Sequence, residues 1–245
     1  MSHRLRDHLT AAALDAWAAL LPTSCSGCGA ADRALCAACR LALLPAVHPV
    51  TRDDVRIWSA LTYEGVARHV IAAYKDNGRT DAAAALAAPL RAAIVAALAA
   101  APSLPAPSLP APSRPAPTLP ALSRVAPGPA GIELVTIPSS RRAWRARGYH
   151  PVDALLHRAG LHPAPLLAQR GVVSDQVGLG RTERAANKDH SLMARHPLNG
   201  VAVILVDDIV TTGATLLEAR RAVFAAGGTV VGLATLAETR RLLPR

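Results

Sequence analysis

Aromatic side chains are nearly missing from this 245-residue chain, which has three Trp, three Tyr and one Phe. A core built from it must be aliphatic, and a hydrophobic fraction of 51 %, much of it alanine, is ample for one. The same scarcity argues against sequence-blind binding of single-stranded nucleic acid by base stacking, which needs aromatic platforms. Acidic residues are also in the minority. There are 17 Asp and Glu against 27 Lys and Arg, a formal net charge of +10, so anions are the expected partners. Phosphorylated small molecules and nucleic acid both qualify, and charge alone does not separate them.

Apolar stretches are interrupted by charge or proline before they reach the roughly 20 residues a membrane span needs, so no membrane insertion is expected. Ala11 to Leu21, behind Arg4 and Arg6, imitates a signal peptide, but Asp15 breaks its apolar run. The Leu-Pro-Thr-Ser-Cys sequence that follows is a poor lipoprotein cleavage site. The spacing instead predicts an amphipathic helix with Leu9, Leu14, Trp17, Leu20 and Leu21 inward, and a cytoplasmic location is expected.

Cysteine is absent except in two hooks. Cys25-Ser-Gly-Cys28 and Cys36-Ala-Ala-Cys39 hold all four cysteines, with seven residues between them. Each hook can aim two thiolates at one point, and four thiolates in a tetrahedron suit Zn²⁺. Two disulfides or an iron–sulfur cluster are the alternatives, the first disfavoured in the cytosol. The zinc reading is preferred because a segment of about forty residues needs a staple to fold. A closed Cys₄ site leaves no open coordination position, so no catalysis is expected there.

The most informative stretch is Val201 to Thr215. Val201–Val206 is an unbroken apolar run, the pattern of a parallel strand covered on both faces, and the Leu216, Leu217, Val223 spacing after it predicts a packed helix. Between them lie two carboxylates, Asp207 and Asp208, and the small loop Thr211-Thr212-Gly213-Ala214-Thr215. At a helix start, backbone N–H groups and Thr hydroxyls can converge on a phosphate at the positive end of the dipole, and Gly213 lets the backbone approach closely. Asp207 and Asp208 then face the sugar that carries the phosphate. A simple helix cap needs one hydroxyl or carboxylate, not this many.

A second strand, Ile132–Ile137, also empties into a small basic loop, Pro138-Ser139-Ser140-Arg141-Arg142. In an open α/β sheet ligands bind at the carboxyl ends of the strands, so the two loops are expected to share one crevice. Upstream, Val66, Val70, Ile71 and Tyr74 predict one helix, which closes with Lys75-Asp76-Asn77-Gly78-Arg79. A second is expected from about Asp81 to Ala100, and a third over Pro151–Ala159. Between Ala101 and Pro129 a five-residue proline-rich repeat cannot form helix or ladder, and is expected to be an extended, mobile insertion within the domain.

The Val201–Thr215 segment resembles the signature for phosphoribosyl pyrophosphate (PRPP) of type I phosphoribosyltransferases. That resemblance implies that Asp207 and Asp208 hydrogen-bond the 2′ and 3′ hydroxyls of ribose. It implies further that Thr211, Thr212, Gly213, Ala214 and Thr215 hold the 5′-phosphate and that Ser139, Ser140 and Arg141 hold pyrophosphate. A hood over the pyrophosphate would fall on Gln176–Lys188, with Arg181, Arg184 and Lys188 positioned to neutralise diphosphate charge. The Cys₄ hooks, Tyr63-x-Gly65-x-x-Arg68, Arg147-Gly148-Tyr149-His150, Asp175-Gln176-Val177-Gly178-Leu179 and the Asp-Asp loop together resemble the ComF family. Where that family commonly has Arg-Gly-Phe-Asn-Gln, this chain has Tyr149, His150 and Pro151 after the glycine.

The expected architecture is thus an α/β, type I phosphoribosyltransferase-like parallel sheet flanked by helices over residues 55–100 and 130–245. A zinc module within residues 1–50 precedes it and the 101–129 insertion interrupts it. The resemblance implies Mg²⁺ with PRPP and displacement of pyrophosphate at the anomeric carbon by an unidentified nitrogen acceptor. It implies as an alternative a non-catalytic PRPP sensor or a DNA-handling factor, with single-stranded DNA or the DNA-uptake machinery as partner, since the ComF family is linked to uptake of DNA in competence. A structural adaptor is the third reading, and has no need of Asp207 and Asp208 beside a phosphate loop. Oligomeric state is not encoded in any pattern we recognise.

Overall fold

The structure, a computed structural model, describes residues 23–31, 33–102, 131–170 and 191–240, with the side chains of Arg141 and Arg142 excepted. The N-terminal amphipathic helix, the proline-rich insertion and the hood segment with Arg181, Arg184 and Lys188 lie outside the described residues. The elements are α1 (Ala37–Ala42), β1 (His48–Arg52), β2 (Val55–Thr62), α2 (Gly65–Asp76), α3 (Ala83–Ala99), β3 (Ile132–Thr136) and α4 (Arg141–Arg147). They continue with α5 (Pro151–Arg158), β4 (Leu167–Gln169), β5 (Leu192–Ala194), β6 (Ala202–Val210), α6 (Ala214–Ala225) and β7 (Thr229–Glu238).

Five strands form one sheet in the order β1-β2-β7-β6-β3, parallel except for the edge hairpin β1–β2. Asp53 and Asp54, with φ of 46° and 61°, make the two-residue turn of that hairpin, and aspartate is among the few side chains that tolerate this region. Ala202 to Val206 are all buried, as a strand covered on both faces requires. On one face, α2, α3 and α5 pack over Ile204, Val206, Ala234 and Leu236. On the other, α6 buries Leu216, Ala219 and Val223 against Val203, Leu205 and Leu233, with the small β4–β5 ladder beside it. This three-layer arrangement is the α/β class read from the strand and helix patterns.

The apolar segment from Thr80 to Ala99 is long enough, at 20 residues, to cross a membrane by composition, contrary to the expectation that no stretch reaches that length. Its buried face (Leu86, Leu90, Ala93, Ile94 and Ala97) packs on β2, β7 and α5 instead, so the reason for its apolarity is the sheet beneath it. It opens with a 3₁₀ turn, Thr80–Ala82, and the α-helix proper starts at Ala83.

β6 is longer than its apolar run predicts. β3 stops at Thr136 opposite Val206, but β7 continues to pair with Asp207, Ile209 and Val210, so the strand carries both aspartates and ends four residues after Val206. The carboxylates therefore stand on a strand held along one edge, not on a loop.

Candidate active site and metal centre

Where β3 ends and β6 runs on, the sheet opens into a cleft of about 300 Å³. Asp207, Asp208 and Ile209 line one side, Ile137, Pro138 and Ser139 the other, and Thr215 of α6 closes one end. Lys75 from the end of α2, Arg147 from α4, and His150 and Asp153 at the start of α5 complete the lining. A second depression, about 770 Å³, lies at the opposite end of the sheet beside Met193, His196 and Arg221. It is larger but holds none of the strand-end carboxylates or loops, so the smaller cleft is the chemically informative one.

Lys75 Nζ lies 2.5 Å from Asp208 Oδ2, and both side chains are mostly buried. The backbone N–H of Asp208 donates to Asp207 Oδ1 at 2.8 Å, and that of Ile209 to Asp208 Oδ1 at 2.7 Å, so each carboxylate is oriented by the residue after it. Lys75 is held in place by its neighbours. The Tyr74 hydroxyl donates to the Pro151 carbonyl at 2.9 Å, and that of Tyr149 donates to the Tyr74 carbonyl, with the two rings edge to face. Burial, aided by Tyr149, pushes the Tyr74 hydroxyl well above the usual tyrosine range, so it remains a donor through neutral pH. Arg147 Nη2, 3.4 Å from Asp76 Oδ1, adds an ion pair across the same contact.

Thr211 and Thr212 are exposed, and Gly213, at φ +89°, is the N-cap of α6 with no side-chain cap. The Ala214 N–H donates to the Thr212 hydroxyl oxygen across a long 3.4 Å. A helix N-terminus capped in this way leaves backbone donors for an anion. Behind the loop, buried Arg52 donates from Nε to the Thr211 carbonyl at 2.7 Å and from Nη2 to Glu238 Oε2 at 3.2 Å.

The structure thus brings Asp207, Asp208, Ser139 and Thr215 to one cleft, while Thr211, Thr212, Gly213 and Ala214, on the turn into α6, are not among its lining residues. Ser140 is placed differently from the other loop residues: its oxygen accepts the Ala143 N–H at 3.1 Å as the N-cap of α4. Arg141 starts that helix, and its side chain is outside the described residues, as is Arg184. Sequence reasoning missed Lys75, Arg147, Asp153 and Arg52, and gave His150 no role. A lysine in the last turn of a helix is what the helix dipole favours anyway, so nothing marked Lys75 as different.

The four cysteine sulfurs lie within 4.8 Å of one another, and none is in a disulfide. Cys28 Sγ and Cys36 Sγ are 3.7 Å apart, and a tetrahedral ion with bonds of about 2.3 Å to sulfur has edges of roughly 3.8 Å. Cys25 and Cys39 are buried, Cys28 exposed. A Cβ on Gly27 would come within 2.7 Å of Cys39 Sγ, so glycine lets the first hook pack this closely against the second. Burial alone would push the Cys25 thiol up, but backbone N–H groups of Cys36, Cys28 and Gly27 outweigh it and bring the thiol down to about 6. Burial, then the neighbouring sulfurs, pushes Cys39 the other way. Four crowded sulfurs with one ready thiolate form a donor set that fits a thiophilic dication. The cluster rests on α2, where Gly27 meets Val66 and the Gly27 carbonyl is 3.2 Å from His69 Nδ1.

Residues 159–243 match the family model described as phosphoribosyl transferase domain. That span contains β4 through β7 with Asp207, Asp208 and the Thr211–Thr215 loop, and leaves out the cysteine cluster, α2 and β3. Among solved structures, an adenine phosphoribosyltransferase from Rhodothermus marinus is 24% identical; the match covers 45% of this chain and 59% of that one, with a TM-score of 0.26. One from Leishmania tarentolae is 14% identical, covering 46% of this chain and 63% of that one, with a TM-score of 0.23. The match therefore spans less than two thirds of either neighbour. No curated protein matches the chain.

Proposed function

We propose that the cleft binds PRPP and that the protein is a ComF-type phosphoribosyltransferase acting on a nitrogen acceptor. The observation that carries this reading is the meeting of three features at one strand end: the Asp207–Asp208 pair, the glycine-capped start of α6, and the Pro138–Ser139 loop of β3. The phosphoribosyl transferase domain match over 159–243 supports it.

In this reading Asp207 and Asp208 accept hydrogen bonds from the 2′ and 3′ hydroxyls of ribose. The Thr211–Thr215 turn takes the 5′-phosphate, and Ser139, Ser140, Arg141 and, from the hood segment, Arg184 take the diphosphate. The acceptor nitrogen forms a bond to the anomeric carbon as the bond from that carbon to the diphosphate oxygen breaks. The diphosphate leaves with the electron pair, and the acceptor loses a proton. No protein nucleophile is required. The chain contributes by positioning and by cations aimed at the departing oxygens, for which Lys75 and Arg147 stand in the cleft wall. Entry of the ribose hydroxyls would displace Lys75 from Asp208 and free its charge for the diphosphate.

Asp207 and Asp208 are oxygen donors of the kind Mg²⁺ accepts alongside substrate oxygens and water, and when bound the ion would neutralise developing diphosphate charge. The four cysteines would hold Zn²⁺, whose part would be to staple the segment that carries them.

A non-catalytic PRPP sensor or DNA-handling factor is the second reading. What favours it is that one of the chain's few aromatics, Trp144, is 48% exposed on α4 between arginines, a surface suited to a nucleic-acid strand. Calorimetric titration with PRPP and Mg²⁺, followed by a pyrophosphate-release assay over nucleobases, ammonia and single-stranded DNA, separates the readings. Binding with release establishes the transferase. Binding without release favours the sensor or DNA-handling role, and absence of binding overturns both.

A further inference from the structure

We infer that Arg52 is a positioning residue for the phosphate loop, fixing the orientation of the peptide between Thr211 and Thr212; the inference rests on the PRPP reading of the cleft. Arg52 is the last residue of β1, on the far side of the sheet order from β3, and is 5% exposed. Its guanidinium makes four hydrogen bonds: Nε to the Thr211 carbonyl at 2.7 Å, Nη1 to its neighbour Thr51 O at 3.0 Å, and Nη2 to Thr239 O at 2.9 Å and Glu238 Oε2 at 3.2 Å. One side chain therefore ties the edge hairpin to the turn after β6 and to the end of β7.

The consequence for the loop follows from peptide geometry. In a trans peptide the C=O and N–H point in opposite directions. With the Thr211 carbonyl held by the guanidinium, the N–H of that peptide is turned the other way, so one hydrogen bond sets the orientation of the whole peptide unit. The contact is close at the next residue too, since a Cβ on Gly213 would fall 2.8 Å from Arg52 Cβ. The loop is laid against the stem of Arg52 while its carbonyl is gripped by the head. Glu238, itself only 6% exposed, balances the buried charge, so the contribution of Arg52 is chiefly orientation. A lysine could match the charge but not the planar fork that reaches three carbonyls and a carboxylate at once.

Removing Arg52 alone would strand a buried carboxylate, so the test uses Arg52→Gln with Glu238→Gln, alongside Arg52→Lys, in the full-length metal-loaded protein. Calorimetry with ribose 5-phosphate reports on the phosphate loop, and with inorganic pyrophosphate on the β3 side of the cleft. Loss of about tenfold or more in ribose 5-phosphate affinity is expected for the double variant, with a smaller loss for Arg52→Lys and pyrophosphate affinity unchanged. Should the double variant not fold, Arg52→Lys, which leaves Glu238 paired, carries the same comparison of the two probes. Equal loss of both probes would mean that Arg52 is a general structural prop, and no loss of either would mean that the loop needs no brace; both overturn the inference. A wild-type protein that binds neither probe would instead refute the PRPP reading, and the inference with it.

Discussion

The cysteine cluster and the cleft are both places where reactive side chains converge, but they are assembled in opposite ways. The cluster takes its four sulfurs from one short stretch, Cys25 to Cys39, and its geometry is enforced by local turns, with Gly27 under Cys39 and the Cys36 N–H on Cys25 Sγ at 3.3 Å. The cleft takes Lys75, Ser139, Arg147, Asp207 and Thr215 from separate elements that only the finished sheet brings together. One site is a single set of four sulfurs, the other an open cleft lined by charges of both signs. The difference teaches that a local site can be lost without the domain, whereas the distributed site can be weakened residue by residue while the domain stands.

The largest expected effect tests that independence. Cys36→Ser should remove one equivalent of metal by elemental analysis, forfeiting a binding free energy on the order of 10 kcal/mol, and make residues 23–47 sensitive to protease. PRPP affinity should change far less, and a variant that kept its metal would refute the Cys₄ assignment. Next, Asp207→Asn with Asp208→Asn should cost about 3 kcal/mol of PRPP binding, roughly two orders of magnitude, without loss of metal or of thermal stability. Unchanged affinity in calorimetry would end the ribose-contact role. Gly213→Ala comes third. At φ +89°, with Arg52 Cβ 2.8 Å from the new methyl, it should cost about 1–3 kcal/mol in denaturant unfolding and weaken the phosphate loop. A neutral result would show that the loop shifts freely. The smallest is Lys75→Met, expected to weaken PRPP by about 1 kcal/mol because the ion pair with Asp208 is partly hydrated. Tighter binding would invert the picture, making Lys75 a guard on Asp208 and not a partner for diphosphate.

What could be read in the chain follows the same division. Contiguity made the hooks and the Asp-Asp-loop segment visible, since spacing along the sequence is spacing in space over one turn or one strand end. Periodicity likewise located α2, whose buried Val70, Ile71 and Tyr74 are the residues the pattern selects. Strand length was harder. Apolarity marked β6 only as far as Val206, because pairing with β7, not burial, carries the strand through two aspartates. Helix α3 passed for a run too broken to span a membrane, yet Pro89 and Arg91 lie within a continuous helix. Lys75 and Arg52 were illegible for a different reason: their partners, Asp208 and Thr211, lie more than a hundred residues away, beyond any local pattern.

The unequal lengths of β3 and β6 amount to a ruler. β6 sets the fixed mark, because β7 clamps it through Val210, and the last rung shared with β3, Thr136 with Val206, sets where the wall turns away. Adding or removing one such rung would move that wall by about 3.3 Å along the strand while leaving Asp207, Asp208 and the turn into α6 in place. Cleft size in this architecture is therefore adjustable by strand length, with no change to Asp207 or Asp208.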